Sequence, residues 1–149
     1  MKVEDLLAQT DRSDCAIPQN WTVAAAIDHL QTLKTSALIV TAAEKPVGIL
    51  SAREVLGCLL EHRERPFSEI LVEEAMTRQM VVAEAHQELG DALAAMLQAD
   101  VTHLPVVDAG RIVGLLTLAT LARRQIDSLT AELHHLQNYI SDLHEAELD

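Results

Sequence analysis

One stretch of this chain is written twice. Leu104-Pro105-Val106-Val107-Asp108-Ala109-Gly110-Arg111-Ile112-Val113-Gly114-Leu115-Leu116-Thr117, moved back by 66 positions so that Leu104 meets Leu38, runs without a gap onto Leu38-Ile39-Val40 and Pro46-Val47-Gly48-Ile49-Leu50-Ser51. Leu38/Leu104, Val40/Val106, Val47/Val113, Gly48/Gly114 and Leu50/Leu116 are identical, and Ser51/Thr117 keep a hydroxyl. The upstream segments align too, Ala26-Ile27 on Ala92-Leu93 and Leu30 on Met96. A repeat of this period restricts the fold to two copies of one supersecondary unit, each too small to bury its own apolar face.

Within each copy the order is amphipathic helix, short apolar run, turn, second apolar run ending in Gly-apolar-apolar-[Ser/Thr], second helix. Runs rich in Val, Ile and Leu on either side of Ala43-Glu44-Lys45 and Asp108-Ala109-Gly110 predict antiparallel hairpins with helices on one face. Val23, Ala26, Ile27, Leu30 and Leu33 predict a helix over Thr22–Leu33, with Asn20 or Thr22 as its cap. Strands over Ser36–Thr41 and Pro46–Leu50 follow, then a helix over Arg53–His62. The second copy repeats the plan, with helices over Glu69–Met76 and Glu88–Ala99, a strand over Val81–Ala83, the hairpin, and a helix from about Leu118. Lys2–Ala8 reads as a short helix. Val3-Glu4-Asp5-Leu6-Leu7 matches Val72-Glu73-Glu74-Ala75-Met76 at an offset of 69 (Val3 on Val72), so three extra residues fall in the polar loop Thr10–Asp14. The charged segment Glu61–Pro66 ends in proline and marks the boundary, giving units at 1–65 and 66–125 and a tail at 126–149.

This ordered set, occurring twice over roughly residues 2–125, resembles the cystathionine beta-synthase (CBS) domain, and the tandem resembles a Bateman module. The resemblance implies an α/β (α+β) fold: two β-α-β-β-α repeats in a pseudo-twofold arrangement plus a long C-terminal helix. It also implies that each short leading helix packs one repeat onto the other.

Composition narrows the partners. The chain is 49% apolar and 23% charged, as a globular protein is. Trp21, Phe67 and Tyr139 are its only aromatics, which argues against stacking bases on aromatic platforms. A net charge of −12, with the 11 basic residues scattered, repels a nucleic-acid backbone, whereas a single mononucleotide needs only a local basic pocket. Cys15 and Cys58 are isolated, and no stretch approaches the roughly 20 apolar residues that span a bilayer, so the expected setting is a reducing cytoplasm without a membrane. Motifs of nucleophilic, P-loop or zinc hydrolases are missing, so no enzyme is expected. His134 and His135 are adjacent on a helix and thus about 100° apart, and no metal site is expected.

In CBS modules the residues after the glycine form a nucleotide site. The glycine admits the ligand, the hydroxyl and helix N-terminus meet phosphate, and an Asp three residues on accepts from the ribose hydroxyls. The matching positions are Gly48, Ser51, Arg53 and Glu54 in the first copy and Gly114, Thr117 and Thr120 in the second. Glutamate replaces the aspartate in one copy, and the carboxylate is lost in the other. Thr102 and His103, which align with Ser36 and Ala37, precede the Leu-Pro-Val strand where family members carry phosphate ligands. Ser51-Ala52-Arg53-Glu54 is equally a capping box that needs no ligand. His103 is equally a half-buried strand residue, and Arg78, in the linker before the Val81 strand, is either a phosphate ligand reaching into the cleft or a surface arginine. The implied ligands are AMP, ADP, ATP or S-adenosylmethionine, with no other cofactor, and the implied partner is a regulated enzyme or transporter.

The final helix carries Ile126, Leu129, Leu133, Leu136, Ile140 and Leu143 at spacings of 3, 4, 3, 4 and 3. Ile at the first seam position and Leu at the second favour a two-stranded parallel coil, hence a homodimer. The alternatives are packing against its own module or against a different protein. Two functions follow: a stand-alone regulatory, signal-transducing module that binds an adenine nucleotide or other adenosyl ligand, or a ligand-free structural scaffold.

Overall fold

The computed structural model describes residues 1–8 and 15–148. The loop assigned the three extra residues, Thr10–Asp14, lies outside them. Helix α1 (Val3–Leu7) leads. The first repeat is β1 (Ala16–Pro18), α2 (Val23–Leu33), β2 (Ala37–Ala42), β3 (Lys45–Ser51) and α3 (Ala52–Glu61). After a 3-10 turn at Phe67–Glu69 come α4 (Val72–Ala75), β4 (Ala83–Glu84), α5 (Leu89–Ala99), β5 (His103–Asp108), β6 (Arg111–Thr117) and the long α6 (Leu118–Leu148). Two three-stranded sheets result, ordered β1-β2-β3 and β4-β5-β6. In each, the first strand is parallel to the second and the hairpin is antiparallel. The registers correspond residue by residue: Ile17 pairs with Val40 as Ala83 pairs with Val106, and the bulge after Val40 recurs after Val106.

The hairpin strands are apolar at nearly every position because both sheet faces are covered. Leu38, Val40 and Leu50 pack under the helices with Ala26, whereas Ala37, Ile39 and Ile49 turn the other way and meet Ile112 and Leu115 of the second sheet. The second repeat builds its own helix-side core from Ala92, Met96, Leu104, Val106, Leu116 and Leu121. Thr22 caps α2 by accepting the Ala25 N–H at 3.1 Å, so of the two candidate caps it is the hydroxyl residue that acts.

The short helices are exchanged between repeats. Val3, Leu6 and Leu7 of α1 are buried in the second repeat's core, and Val72 and Met76 in the first repeat's core. Backbone hydrogen bonds fix each swap in the same way. Val3 N–H donates to Gln87 O and Leu89 N–H to Met1 O, while Val72 N–H donates to Trp21 O and Val23 N–H to Ile70 O. This pairing shortens the helix expected over Glu69–Met76. Ile70 and Leu71 are extended so that they can bond the start of α2, and only Val72–Ala75 is α-helical. An acid closes each short helix, with Lys2 N–H donating to Asp5 Oδ2 at 2.8 Å and Leu71 N–H to Glu74 Oε2 at 2.9 Å.

The repeated glycines are where the exchanged helices come to rest. A Cβ on Gly114 would lie 2.5 Å from Leu7 Cδ2, and one on Gly48 would lie 2.6 Å from Met76 Sδ and 2.8 Å from the Thr77 carbonyl oxygen. Glycine at these positions is thus needed for close packing between repeats, which is a different reason from the ligand approach that the family pattern suggested. The hairpin turns are two residues long, with Ala43, Glu44, Ala109 and Gly110 at positive φ, the conformation that matches strand twist.

Among the described residues no helix is long and apolar enough to cross a membrane. The α6 stripe does not pack on its own module, since every side chain from Ile126 to Glu147 is exposed, Ile126 at 61% and Leu133 at 56%. Packing in cis is therefore replaced by an unpartnered seam.

The two glycines are expected to respond unequally to alanine. Leu7 Cδ2 is the end of a flexible side chain, so Gly114→Ala should cost about 1 kcal/mol, whereas the Thr77 carbonyl is fixed by its bond to Ile49 and Gly48→Ala should cost about 3 kcal/mol. Urea unfolding with an unchanged m value measures both.

Candidate functional site

A cleft of about 530 Å³ opens at the seam between the repeats. One wall is the end of β3 and the first turn of α3, bearing Ser51, Ala52, Arg53 and Glu54. The other is the connection from α5 to β5, bearing Asp100, Val101, Thr102 and His103. The floor includes Ile49, Thr77, Gln79 and Met80. The local sequence explains the floor: after α4 the chain bonds β3, Thr77 N–H to Ile49 O at 3.0 Å and Ile49 N–H to Thr77 O at 2.9 Å, which carries Thr77 to Met80 into the seam.

On the first wall the capping box is formed. Ser51 N–H and Ser51 Oγ both donate to Glu54 Oε1, at 3.0 and 2.6 Å. These bonds engage one oxygen of the carboxylate and orient it at the head of α3. Arg53, one residue before, lines the same cleft.

His103 bridges the repeats on the opposite wall. Its Nδ1 is 3.0 Å from Thr102 Oγ1 and its Nε2 is 3.1 Å from Ser36 Oγ, and Ser36 and Thr102 are equivalent residues of the two copies. In a neutral ring one nitrogen donates and the other accepts, and a hydroxyl serves either role. Burial pushes the His103 pKa below the ordinary histidine value, and the nearby Glu54 carboxylate opposes that only in part. At neutral pH the imidazole is therefore uncharged.

The equivalent positions of the second copy are arranged differently. Thr120 N–H donates to Thr117 Oγ1 at 3.2 Å and the two hydroxyls are 2.8 Å apart, a cap for α6 in which hydroxyls replace the acid. The structure thus brings Ser51, Arg53, Glu54, Thr102 and His103 into one cleft, and Gly48, Gly114, Thr117, Thr120 and Arg78 are not in its lining.

The CBS-domain family model matches residues 3–61 and 72–127, both repeats and most of the chain. The chain belongs to the CBS-domain family. Its fold is that of a tandem CBS pair. It is similar to the CBS-domain protein NE2398, at 30% identity and a TM-score of 0.72, over 85% of this chain and 98% of that one. It is also similar to a putative signal-transduction protein with CBS domains from Burkholderia ambifaria MC40-6, at 26% identity and a TM-score of 0.74, over 85% and 95%. The CBS-domain pair of MJ0100, solved with 5′-methylthioadenosine and S-adenosyl-L-methionine, shares the fold at 22% identity and a TM-score of 0.72, over 86% and 98%.

Sequence reasoning missed Thr77, Gln79, Met80 and Asp100 of the CBS cleft. Asp100 ends α5 in the left-handed region (φ 56), as its counterpart Lys34 ends α2 (φ 54). Neither is the glycine or asparagine that usually announces such a cap. The usable signal was the repeat itself, which places both residues just before a site strand.

A neutral, half-buried His103 has a stability consequence with a definite sign. Its folded pKa is lowered, so the unfolded chain binds the proton more readily. The contribution is complete above the ordinary histidine value of about 6.5, is lost as pH falls through the window beneath it, and levels off below the folded pKa. His103→Gln should therefore flatten the loss of stability between pH 7 and pH 5, as read from urea midpoints of the two proteins.

Proposed function

We propose that this CBS pair is a regulatory module that takes an adenosyl ligand, drawn from AMP, ADP, ATP and S-adenosylmethionine, in the cleft at the seam. The observation that carries the reading is the convergence of Ser51, Arg53 and Glu54 from one repeat with Thr102 and His103 from the other around a cavity of ligand size. Glu54 would accept from the ribose hydroxyls, while the amides at the head of α3, with Arg53 and the hydroxyls, would meet the 5′ substituent. The ligands in the MJ0100 structure agree with this class.

A ligand regulates only by preferring one arrangement of the repeats. Leu118 N–H, at the start of α6, donates to Thr102 O at 2.8 Å, so the cleft wall and the long helix are directly connected. The exposed seam of Ile126, Leu129, Leu133, Leu136, Ile140 and Leu143 supports a parallel homodimer through α6. The regulated partner would be an enzyme or transporter, and the module itself would catalyse nothing.

One observation favours a scaffold without ligand: Glu54 is engaged by Ser51, and the second copy offers no carboxylate at Thr120. Titration calorimetry separates the readings. A ligand at about 100 times its Kd stabilises the protein by about 2.7 kcal/mol and raises Tm by several degrees, and Glu54→Ala should abolish the effect. No heat and no Tm change at millimolar AMP, ADP, ATP and S-adenosylmethionine would leave the scaffold. In the same samples, Leu129→Glu with Leu136→Glu should convert a dimer to a monomer in sedimentation while preserving ligand binding.

A further inference from the structure

The cleft carries an unbalanced set of charges that bears on which adenosyl compound it takes. Its lining holds one guanidinium, Arg53, against two carboxylates, Glu54 on the α3 wall and Asp100 on the facing wall. No ion pair among the described residues neutralises any of the three; Met1–Glu88 and Arg65–Glu74 pair outside the cleft. Ser51 gives Glu54 hydrogen bonds without a countercharge. His103, the other group that could offset a carboxylate, is held uncharged by burial. The remaining polar groups of the lining are neutral: the hydroxyls of Ser36, Ser51, Thr77 and Thr102 and the amide of Gln79. Around this local excess of one negative charge lies a chain of net charge −12.

From this we infer that the cleft selects adenosyl compounds whose 5′ substituent is cationic or uncharged, a sulfonium or thioether, over nucleoside polyphosphates. A polyphosphate would set several negative charges between two carboxylates, with the amides at the head of α3 and Arg53, the one cationic side chain of the lining, to offset them, in a site whose walls concentrate the field. A sulfonium compound with an ammonium group finds a carboxylate on either wall, and a thioether is neither attracted nor repelled. The inference rests on the adenosyl reading above and adds the charge class of the ligand.

The test uses the full chain with S-adenosylmethionine, 5′-methylthioadenosine and ATP, measured by calorimetry at low and high NaCl. Expected is binding of the first two at least tenfold tighter than ATP. Added salt should weaken S-adenosylmethionine binding, leave methylthioadenosine unchanged and not weaken ATP, because screening removes attraction in one case and repulsion in the other. The double variant Glu54→Gln with Asp100→Asn reverses the charge excess. It keeps the acceptor for Ser51 and a residue tolerant of positive φ at the end of α5. It should lower the ratio of S-adenosylmethionine to ATP affinity on the order of tenfold. ATP binding as tightly as S-adenosylmethionine to the native protein, or an unchanged ratio in the double variant, would overturn the charge selection and leave the adenosyl site standing. Failure of all three compounds would overturn the adenosyl reading itself.

Discussion

Leu7 lying over Gly114 and Met76 over Gly48 is the contact on which the other features of this molecule depend. Each repeat has a three-stranded sheet and two long helices, yet its core is completed by an apolar helix from the other repeat. A sheet with both faces covered has little freedom to slide. The parallel first strand, the hairpin register and the bulge occur at equivalent residues in both halves. Burial of Val3, Leu6, Leu7, Val72 and Met76 is worth about 1.5–3 kcal/mol for each larger side chain, so the exchange is a large part of a small domain's stability.

The cleft is a by-product of this exchange. Having crossed to the first sheet, the chain must return to the second, and its return path along β3 at Ile49 supplies the floor. The pseudo-symmetry of the backbone is not matched by the side chains. Glu54 is answered by Thr120, His103 by Ala37 and Asp100 by Lys34, so one scaffold presents different chemistry at positions that the fold makes equivalent. His103, bonded to the equivalent hydroxyls Ser36 and Thr102, ties the halves together at that seam.

Most of this fold was legible because the repeat and the apolar periodicities act locally. Val23 to Leu33 reads as one helical face, with Asn20 or Thr22 as its cap, without knowledge of the partner. Legibility ended where tertiary pairing overrode local preference. Ile70 and Leu71 belong to an apolar, helix-compatible segment but are drawn out straight to bond the head of α2. Gly48 and Gly114 were visible as conserved between the copies, but their spatial neighbours come from segments 28 and 107 residues away, measured from Met76 and Leu7. Of the cleft lining, Ser51, Arg53, Glu54, Thr102 and His103 were expected from the family resemblance that the repeat carries. Asp100, Thr77, Gln79 and Met80 could not, because a positive-φ aspartate and a return path leave no local pattern.

The exposed length of α6 gives small motions a large reach. Ile126 to Leu148 extends roughly 35 Å at about 1.5 Å per residue, on a root fixed by Leu121 in the core and by the Leu118–Thr102 bond. An arm of that length, tilted by about 5° at its root, swings its tip by about 3 Å, close to the width of a hydrogen bond. A tilt at the root too slight to disturb either core is thus geometrically amplified at the far end of the arm.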